Sequence, residues 1–469
     1  MGLYRCVSIT GRYEAAGPLS REKWKDWIWT ALASVIEGEP YLRVGIVDED
    51  STHACFVHVP KIDLEKQVVW HSARSANEEK YQSELAKVLE DRHDSLWPDT
   101  ATRPPWKVTV VDSGDAEVSR VDIIYSWHHA IGDGISGKIF HESLLSALRA
   151  HDVPGGYQAI SSPELHFPDP PVLPPPQEEA IEFTLTWWYI FKTLWAEMCP
   201  SFLAPEEEPV WAGGPVDFQG RYKTRVKLLD IDGKTKDGLL MVCRMHKTTI
   251  TGLVHALTLL SLAGQVPSGQ AIASQTPMSF RPYVSSPTTD LTKSMSVLVG
   301  TCQHQFSAER VQALQSILAT YEDPAALEYE VWNIAADVKS DIKDKAATLP
   351  VDDVMGLLSL AGDWRARFKK MDGKPPKTTW EVSNVGVING DDNSGGVKVS
   401  RLLFSQSASL TGSALNVSVA GCEGDGGIGI TWTWAEGVLD EGLVEGIKGD
   451  VEEWMASLAR SGRLDCVYV

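Results

Sequence analysis

The sequence has no CxxC pair, no Cys/His grouping at metal-ligand spacing, no glycine-rich phosphate loop and no excess of positive charge. Each absence removes a class of function. The seven cysteines, Cys6, Cys55, Cys199, Cys243, Cys302, Cys422 and Cys466, are odd in number and widely scattered. Neither a disulfide framework nor a structural metal site is therefore expected, and a reduced compartment fits. With 43 basic against 63 acidic side chains and a formal charge of -20, the chain repels a polyanion at long range, so nucleic acid is not an expected partner. The start, MGLYRCVSIT, has no apolar core behind a basic segment, and Cys6 stands where a myristoylation signal takes Ser or Thr. A cytoplasmic protein is expected. The stretch IEFTLTWWYIFKTLWAEMC at 181–199 is apolar around most of a helix's circumference, but it is short for a membrane span and is interrupted by Glu182, Lys192 and Glu197. It reads as a buried helix, with a helix lying on a membrane surface as the alternative.

The 469 residues, 43% of them hydrophobic, exceed what one hydrophobic core usually organises, so two domains are expected. Residues 19–37 carry Trp24, Trp27, Ala31 and Val35 at helical spacing behind Ser20, a natural N-cap. YLRVGIVDED after it reads as a strand, and KVTVVD (107–112) and VDIIYSW (121–127) read as two more around the turn signal SGDAE. The prolines of SSPELHFPDPPVLPPPQEEA (161–180) stiffen the chain and forbid a helix or a central strand. We therefore place a linker at 161–180, one lobe at 1–160 and a second at 181–469. In the second, TTITGLVHALTLLSLA (248–263) and a region near 307–321 predict helices. KTRVKLLDI, TTWEVSNVGVI (378–388), LLFSQSA and LNVSVAG predict strands. The pattern is mixed α/β throughout, without a fixed-period repeat.

One short segment concentrates the chemistry. In SWHHAIGDGISG (126–137), an apolar strand runs into His128 and His129, Asp133 follows four residues after the second, and Gly132, Gly134 and Gly137 let a helix start tightly. Ile135, Ile139, Leu144, Leu145 and Leu148 give that helix its apolar face. Histidine is the side chain whose ordinary pKa, about 6.5, suits proton transfer in both directions near neutrality. A histidine at a strand end is also commonly no more than a satisfied polar group, but the full pattern at a strand-to-helix turn is far more restrictive.

His128, His129, Asp133 and Gly134 resemble the HHxxxDG signature of the chloramphenicol acetyltransferase-like superfamily. That group includes plant BAHD acyltransferases, peptide-synthetase condensation domains and fungal alcohol acetyltransferases. The likeness to the alcohol acetyltransferase branch continues in order over nearly the whole chain, through WIWTALASVIEGEPYLRVGI, PPWKVTVV, CRMHKTTITGLVHAL, SFRPY, WEVSNVGV, LLFSQSA and ITWTWAEGVLD. The DFGWG motif of BAHD enzymes is absent, and SNVG at 383–386 stands in the comparable region, so a plant-type assignment is not expected.

The resemblance implies an α/β fold of two chloramphenicol acetyltransferase-like lobes, with mixed sheets flanked by helices and an active-site channel between them. It implies His129 as general base, taking a proton from an acceptor hydroxyl or amine as it attacks an acyl-CoA thioester, with no covalent acyl-enzyme. Asp133 would shape the turn by pairing with an arginine, for which Arg281 in SFRPY is the candidate. His128 would pack or hydrogen-bond beneath the site, and Gly134 would allow close backbone approach or a positive φ. Ser383 and Asn384 are oxyanion candidates, such donors being worth about 3 kcal/mol each, and turn formation explains them equally well. Ser405, Gln406 and Ser407 are further channel candidates that a polar strand end would also explain. Of 17 tryptophans, Trp127 and Trp380 are best placed in sequence to touch a ligand, though most such rings fill cores.

The leading expectation is a monomeric CoA-dependent acyltransferase that acetylates a hydroxyl or amine of a small molecule such as a secondary metabolite. Acetyl-CoA or another acyl-CoA would be its co-substrate, with no metal and no permanently bound cofactor. The alternatives are a condensation-domain-like enzyme, using a donor tethered to a carrier protein or cyclising a bound intermediate, and a non-catalytic binding protein.

Overall fold

Two long-range sheets organise the computed structural model, which describes residues 2–74, 77–150, 160–198, 208–285, 290–320, 324–360, 362–390 and 396–464. Cys199 and Cys466 lie outside the described residues. The first sheet has five strands in the order Lys398–Gln406, Val7–Ser20, Glu117–Trp127, Trp106–Asp112, Val68–Ser72. All its neighbours are antiparallel except the last pair. The second sheet has six, in the order Val299–Phe306, Ile272–Ser279, Trp380–Ile388, Leu415–Cys422, Ile428–Ala435, Thr224–Ile231. Trp380–Ile388 is parallel to both its neighbours and the remaining pairs are antiparallel. Mixed sheets of this kind need helices over their apolar faces.

Those helices follow the periodicity in the sequence. Ser20 caps helix Arg21–Gly38 by accepting a hydrogen bond from the Lys23 amide, a contact worth about 1 kcal/mol, and Trp24, Ile28, Ala31, Leu32 and Val35 are buried. Together with helix Gly134–Ala150 it closes the core of the first lobe. Helix Ile250–Ala263, whose described side chains are buried almost all round, forms the centre of the second lobe with helices Pro324–Thr348 and Glu441–Ser461. YLRVGIVDED contributes only the short strand Val44–Val47, because Pro40 opens a 3-10 turn over Pro40–Arg43 instead. Within the proline-rich segment, Glu164–His166 pairs with Lys61–Asp63 and Gln177–Ala180 makes one helical turn. Both lie outside the run of prolines at 168–176, where the backbone keeps its N–H donors.

Two features depart from the sequence reading. Strand Lys398–Gln406 returns from the C-terminal part of the chain to pair with Val7–Ser20, and it also packs against Leu415–Cys422 and Ile428–Ala435 of the second sheet. Arg401 on that strand reaches Asp122 of the first sheet at 3.1 Å and Asp230 of the second at 2.9 Å, while Arg12 meets Asp122 at 3.1 Å. Burial alone would raise the Asp122 carboxyl, but the guanidinium groups of Arg401 and Arg12 outweigh it and hold the carboxyl below its ordinary range. Helix Trp187–Met198, expected to be buried, is not. Trp187, Trp188, Phe191 and Trp195 stand exposed, the last three stacked at 6.1 Å intervals. Its apolar residues occupy most of the circumference, and the neighbouring fold cannot cover them all. No helix among the described residues is long and apolar enough to cross a membrane.

His93, His141 and His255 are completely buried in these cores. Burial drives His93 down to about 3 and His141 down to about 4, and it pushes His255 well below its ordinary value. His141 is held in one neutral form, its Nε2 donating to the Ile9 carbonyl at 3.0 Å and its Nδ1 accepting from the Tyr13 hydroxyl at 2.9 Å. The unfolded chain protonates such a histidine below about pH 6.5, whereas the folded chain does not until about pH 4. Stability is therefore lost as pH falls through that window, at about 1.4 kcal/mol per pH unit for each histidine. Glu39, raised to about 7 by burial, acts in the opposite sense, so the cleanest reading is a difference between proteins. Between pH 7 and pH 5, urea unfolding of wild type should lose about 2 kcal/mol more than unfolding of His141→Gln. Equal pH dependence in the two would contradict it.

Candidate active site

Strand Glu117–Trp127 ends at the first lobe's boundary, and the next six residues make the turn that carries the histidines. His128 is extended, His129–Ile131 forms a single 3-10 turn, and helix Gly134–Ala150 begins after Asp133. The indole N–H of Trp127 closes this turn by donating to the Gly132 carbonyl at 2.7 Å. A methyl at Gly137 would run into the Trp127 ring, so the small residue there is a packing requirement. At Gly134 an added Cβ would lie 2.8 Å from Val385 and 3.2 Å from Phe404. Here the first lobe's helix meets strands contributed by the C-terminal part of the chain.

Asp133 is buried and fully occupied. Its Oδ2 lies 2.6 Å from Arg281 Nη1 and accepts from the Leu298 amide at 3.1 Å, while its Oδ1 accepts from the Ser136 amide at 2.9 Å and the Ser136 hydroxyl at 3.0 Å. Arg281 in turn donates to the carbonyls of Leu291, Ser294 and Ser296. A carboxylate offers about four lone-pair directions, and here each has a partner. The aspartate thus braces the turn against the second lobe and makes no hydrogen bond to the His129 ring.

His129 is half-buried with its ring 5.4 Å from that of Tyr4, and it lines a cavity of about 290 Å³ between the lobes. Burial lowers its pKa from the ordinary histidine value, and this outweighs the upward pull of Asp133 and of its own backbone. The ring is consequently neutral at neutral pH and able to accept a proton. His128 faces elsewhere: its Nδ1 accepts from the Ala130 amide at 3.1 Å and its Nε2 sits 3.4 Å from Glu49.

The other cavity walls come from the second lobe and from Lys398–Gln406. Ser383 lines the cavity, whereas the Asn384 side chain turns outward, donating to Thr251 at 3.1 Å and accepting from the Gly386 amide at 2.8 Å. Gly386 has φ +80°, the left-handed region that suits glycine at this irregularity of the strand. Gln406 lines the cavity, but its neighbours do not. Ser405 is bonded to His93 at 2.9 Å, and the Ser407 hydroxyl accepts from the amides of Arg5 and Cys6. Trp127 and Trp380 are both fully buried, and Trp380 donates to His255 at 3.1 Å. Neither ring reaches the cavity wall.

Several wall residues carry no mark in the sequence: Tyr4, Gln275, Thr301, Glu381 and Asn416. One signal existed. In Trp380–Ile388, Trp380 and Val382 point into the core, so period-two alternation turns Glu381 and Ser383 to the other face. A larger recess of about 520 Å³ lies between Glu78–Asp94 and Thr224–Ile231, but its walls contain charged groups such as Lys87, Glu90 and Arg225 and no histidine.

Comparison with known proteins gives a consistent picture. The alcohol acetyltransferase family profile matches residues 63–442. A probable alcohol acetyltransferase of Fusarium pseudograminearum, FCK4, is 32% identical over 477 aligned positions covering 99% of this chain and 93% of that protein. Among solved structures, the TRI3 trichothecene 15-O-acetyltransferase of Fusarium sporotrichioides superposes with a TM-score of 0.70 at 12% identity, covering 97% of this chain and 92% of that one. The first condensation domain of the CDA synthetase superposes with a TM-score of 0.56 at 13% identity, covering 100% and 94%. The two structural likenesses establish a shared fold.

Proposed function

The chain belongs to the alcohol acetyltransferase family, and on that premise we propose that it transfers an acetyl group from acetyl-CoA to a hydroxyl of a small molecule, such as a secondary metabolite, with His129 as general base. One observation carries the assignment of the base: His129 presents a neutral imidazole to the inter-lobe cavity, while Asp133 is wholly engaged by Arg281, Ser136 and Leu298.

In this reading the acceptor oxygen attacks the thioester carbon as its proton passes to His129, forming a tetrahedral oxyanion. Collapse breaks the C–S bond, and the imidazolium returns the proton to the departing thiolate, giving ester and free CoA. Both substrates share one cavity, so no acyl-enzyme is required. Ser383, whose side chain lines the same cavity, is the proposed oxyanion donor. Asn384, bonded outward to Thr251, is left to shape the strand.

Release of CoA thiol from acetyl-CoA, measured with a panel of alcohols and amines, tests the proposal. Release that requires both an acceptor and His129 supports it. Release only from a thioester tethered to a carrier protein would assign the donor to the condensation-domain type instead. Because His129 must be neutral and its pKa is lowered, kcat/KM should be level from neutral pH upward and decline only below the ordinary histidine range, about pH 6.5. A decline already complete at pH 7 would remove His129 as the base.

A further inference from the structure

Glu381 is an acidic side chain near the start of a central strand, half-buried at the cavity wall. Gln275 Nε2 donates to its Oε2 at 2.8 Å, and Gln406 Nε2 donates to its Oε1 at 3.0 Å. Among the described residues, no lysine, arginine or histidine is within ion-pair distance of it. Partial burial pushes its carboxyl above the ordinary value, and the two amide bonds pull it back only in part. A fold gains nothing from such a group, because a desolvated carboxylate with neutral partners costs stability.

The amide donors occupy one site on each oxygen, which leaves about two of its roughly four acceptor directions unfilled on a residue that lines the cavity. Glu381 is also joined to the base by a continuous wall. Its Gln406 partner accepts the Tyr4 hydroxyl at 2.7 Å, and the Tyr4 ring lies 5.4 Å from that of His129. Thr301, Ser409, Thr411, Ser413 and Asn416 add polar groups to a lining that also contains the apolar Pro277, Val299 and Phe404.

We propose that Glu381 is a specificity-determining residue, receiving a second hydrogen-bond-donating group, a hydroxyl or an ammonium, on an acceptor whose first hydroxyl is acetylated at His129. The inference rests on the acetyltransferase reading for the orientation of the acceptor, but not for its binding. The substrate class is thus a polar alcohol with at least two donors rather than a simple aliphatic alcohol.

The probes are 1-hexanol, 1,2-, 1,4- and 1,6-hexanediol, and 6-amino-1-hexanol. Each is assayed for binding by calorimetry and for acetylation by thiol release, with wild type and Glu381→Gln. In wild type, at least one probe with a second donor should bind about tenfold or more tightly than 1-hexanol, as expected for a hydrogen bond to a charged group. In Glu381→Gln that ratio should collapse to within about twofold for the amino alcohol, and fall less for the diols, since an amide carbonyl still accepts but carries no charge. The tightest wild-type binding by the amino alcohol identifies an ammonium as the preferred group, and the tightest binding by a diol identifies a hydroxyl. The ratio is taken within each protein, so a partly unfolded variant does not distort it. Equal binding of all probes to wild type, binding of none, or a ratio that survives in Glu381→Gln overturns the proposal. Probes that bind with the expected ratio but are never acetylated leave Glu381 in place and overturn the acetyltransferase reading.

Discussion

His129→Ala should lower kcat for acetyl transfer by about 10²–10⁴-fold, the range that a positioned general base supplies. The protein should remain folded. The His129 ring packs beside Tyr4 at the cavity edge, and the turn around it is held by other groups: the Trp127 indole on Gly132, and Asp133 on Arg281 and Ser136. A far-UV circular dichroism spectrum and a urea midpoint close to those of wild type would establish this, and the acid limb of kcat/KM should disappear with the imidazole. His128→Ala is the matched control. His128 is engaged by the Ala130 amide and Glu49, away from the cavity wall, so its loss should cost less than about tenfold. If His129→Ala turned over like wild type, the proton acceptor would have to be found elsewhere.

The second large effect is on stability. Asp133→Ala should destabilise the protein by about 3–5 kcal/mol, because it leaves the Arg281 guanidinium buried without its counter-ion. The two side chains are only 5% and 6% exposed, so solvent cannot take over the role of the lost partner. Activity should fall as well, since the same carboxylate fixes the amides of Ser136 and Leu298 on either side of the lobe boundary. The double variant Asp133→Leu/Arg281→Met removes both charges, and it should be more stable than either single variant. Chemical denaturation of the four proteins gives the coupling directly. A well-folded Asp133→Ala with full activity would show that the pair does not brace the site.

The turn at 126–137 was legible because its information is local: an apolar strand, two histidines, closely spaced glycines and a helical face follow one another within a few residues. Arg281 could not have been paired with Asp133 by spacing, since the two are 148 positions apart, and the family resemblance supplied it. Alternation along strands explains much of the rest. Ser405 and Ser407 face away from Gln406 towards His93, Arg5 and Cys6, just as Trp380 faces away from Glu381. Sequence adjacency to a functional residue is therefore a poor guide in a strand, where the next side chain lies on the opposite face. Tyr4 and the pairing of Lys398–Gln406 with Val7–Ser20 depend on contacts about 400 residues apart, which no local pattern encodes. Helix Trp187–Met198 marks another limit, because apolarity shows what a helix could bury and not whether the fold offers a surface to bury it.

That distant pairing bears on how the protein is made. When Trp127 leaves the ribosome, four of the five strands of the first sheet are already synthesised, yet Val7–Ser20 still lacks the neighbour that covers one of its edges. About 280 more residues must be translated before Gln406 emerges, roughly 15–60 s at about 5–20 residues per second. Throughout that interval the nascent chain carries an open row of backbone donors and acceptors, the kind of edge on which other chains can add a strand. Arg12 on that edge and Asp122 on the strand beside it wait for Arg401. The first lobe is begun first and finished late, so the time of greatest exposure to misassembly falls during synthesis of the second.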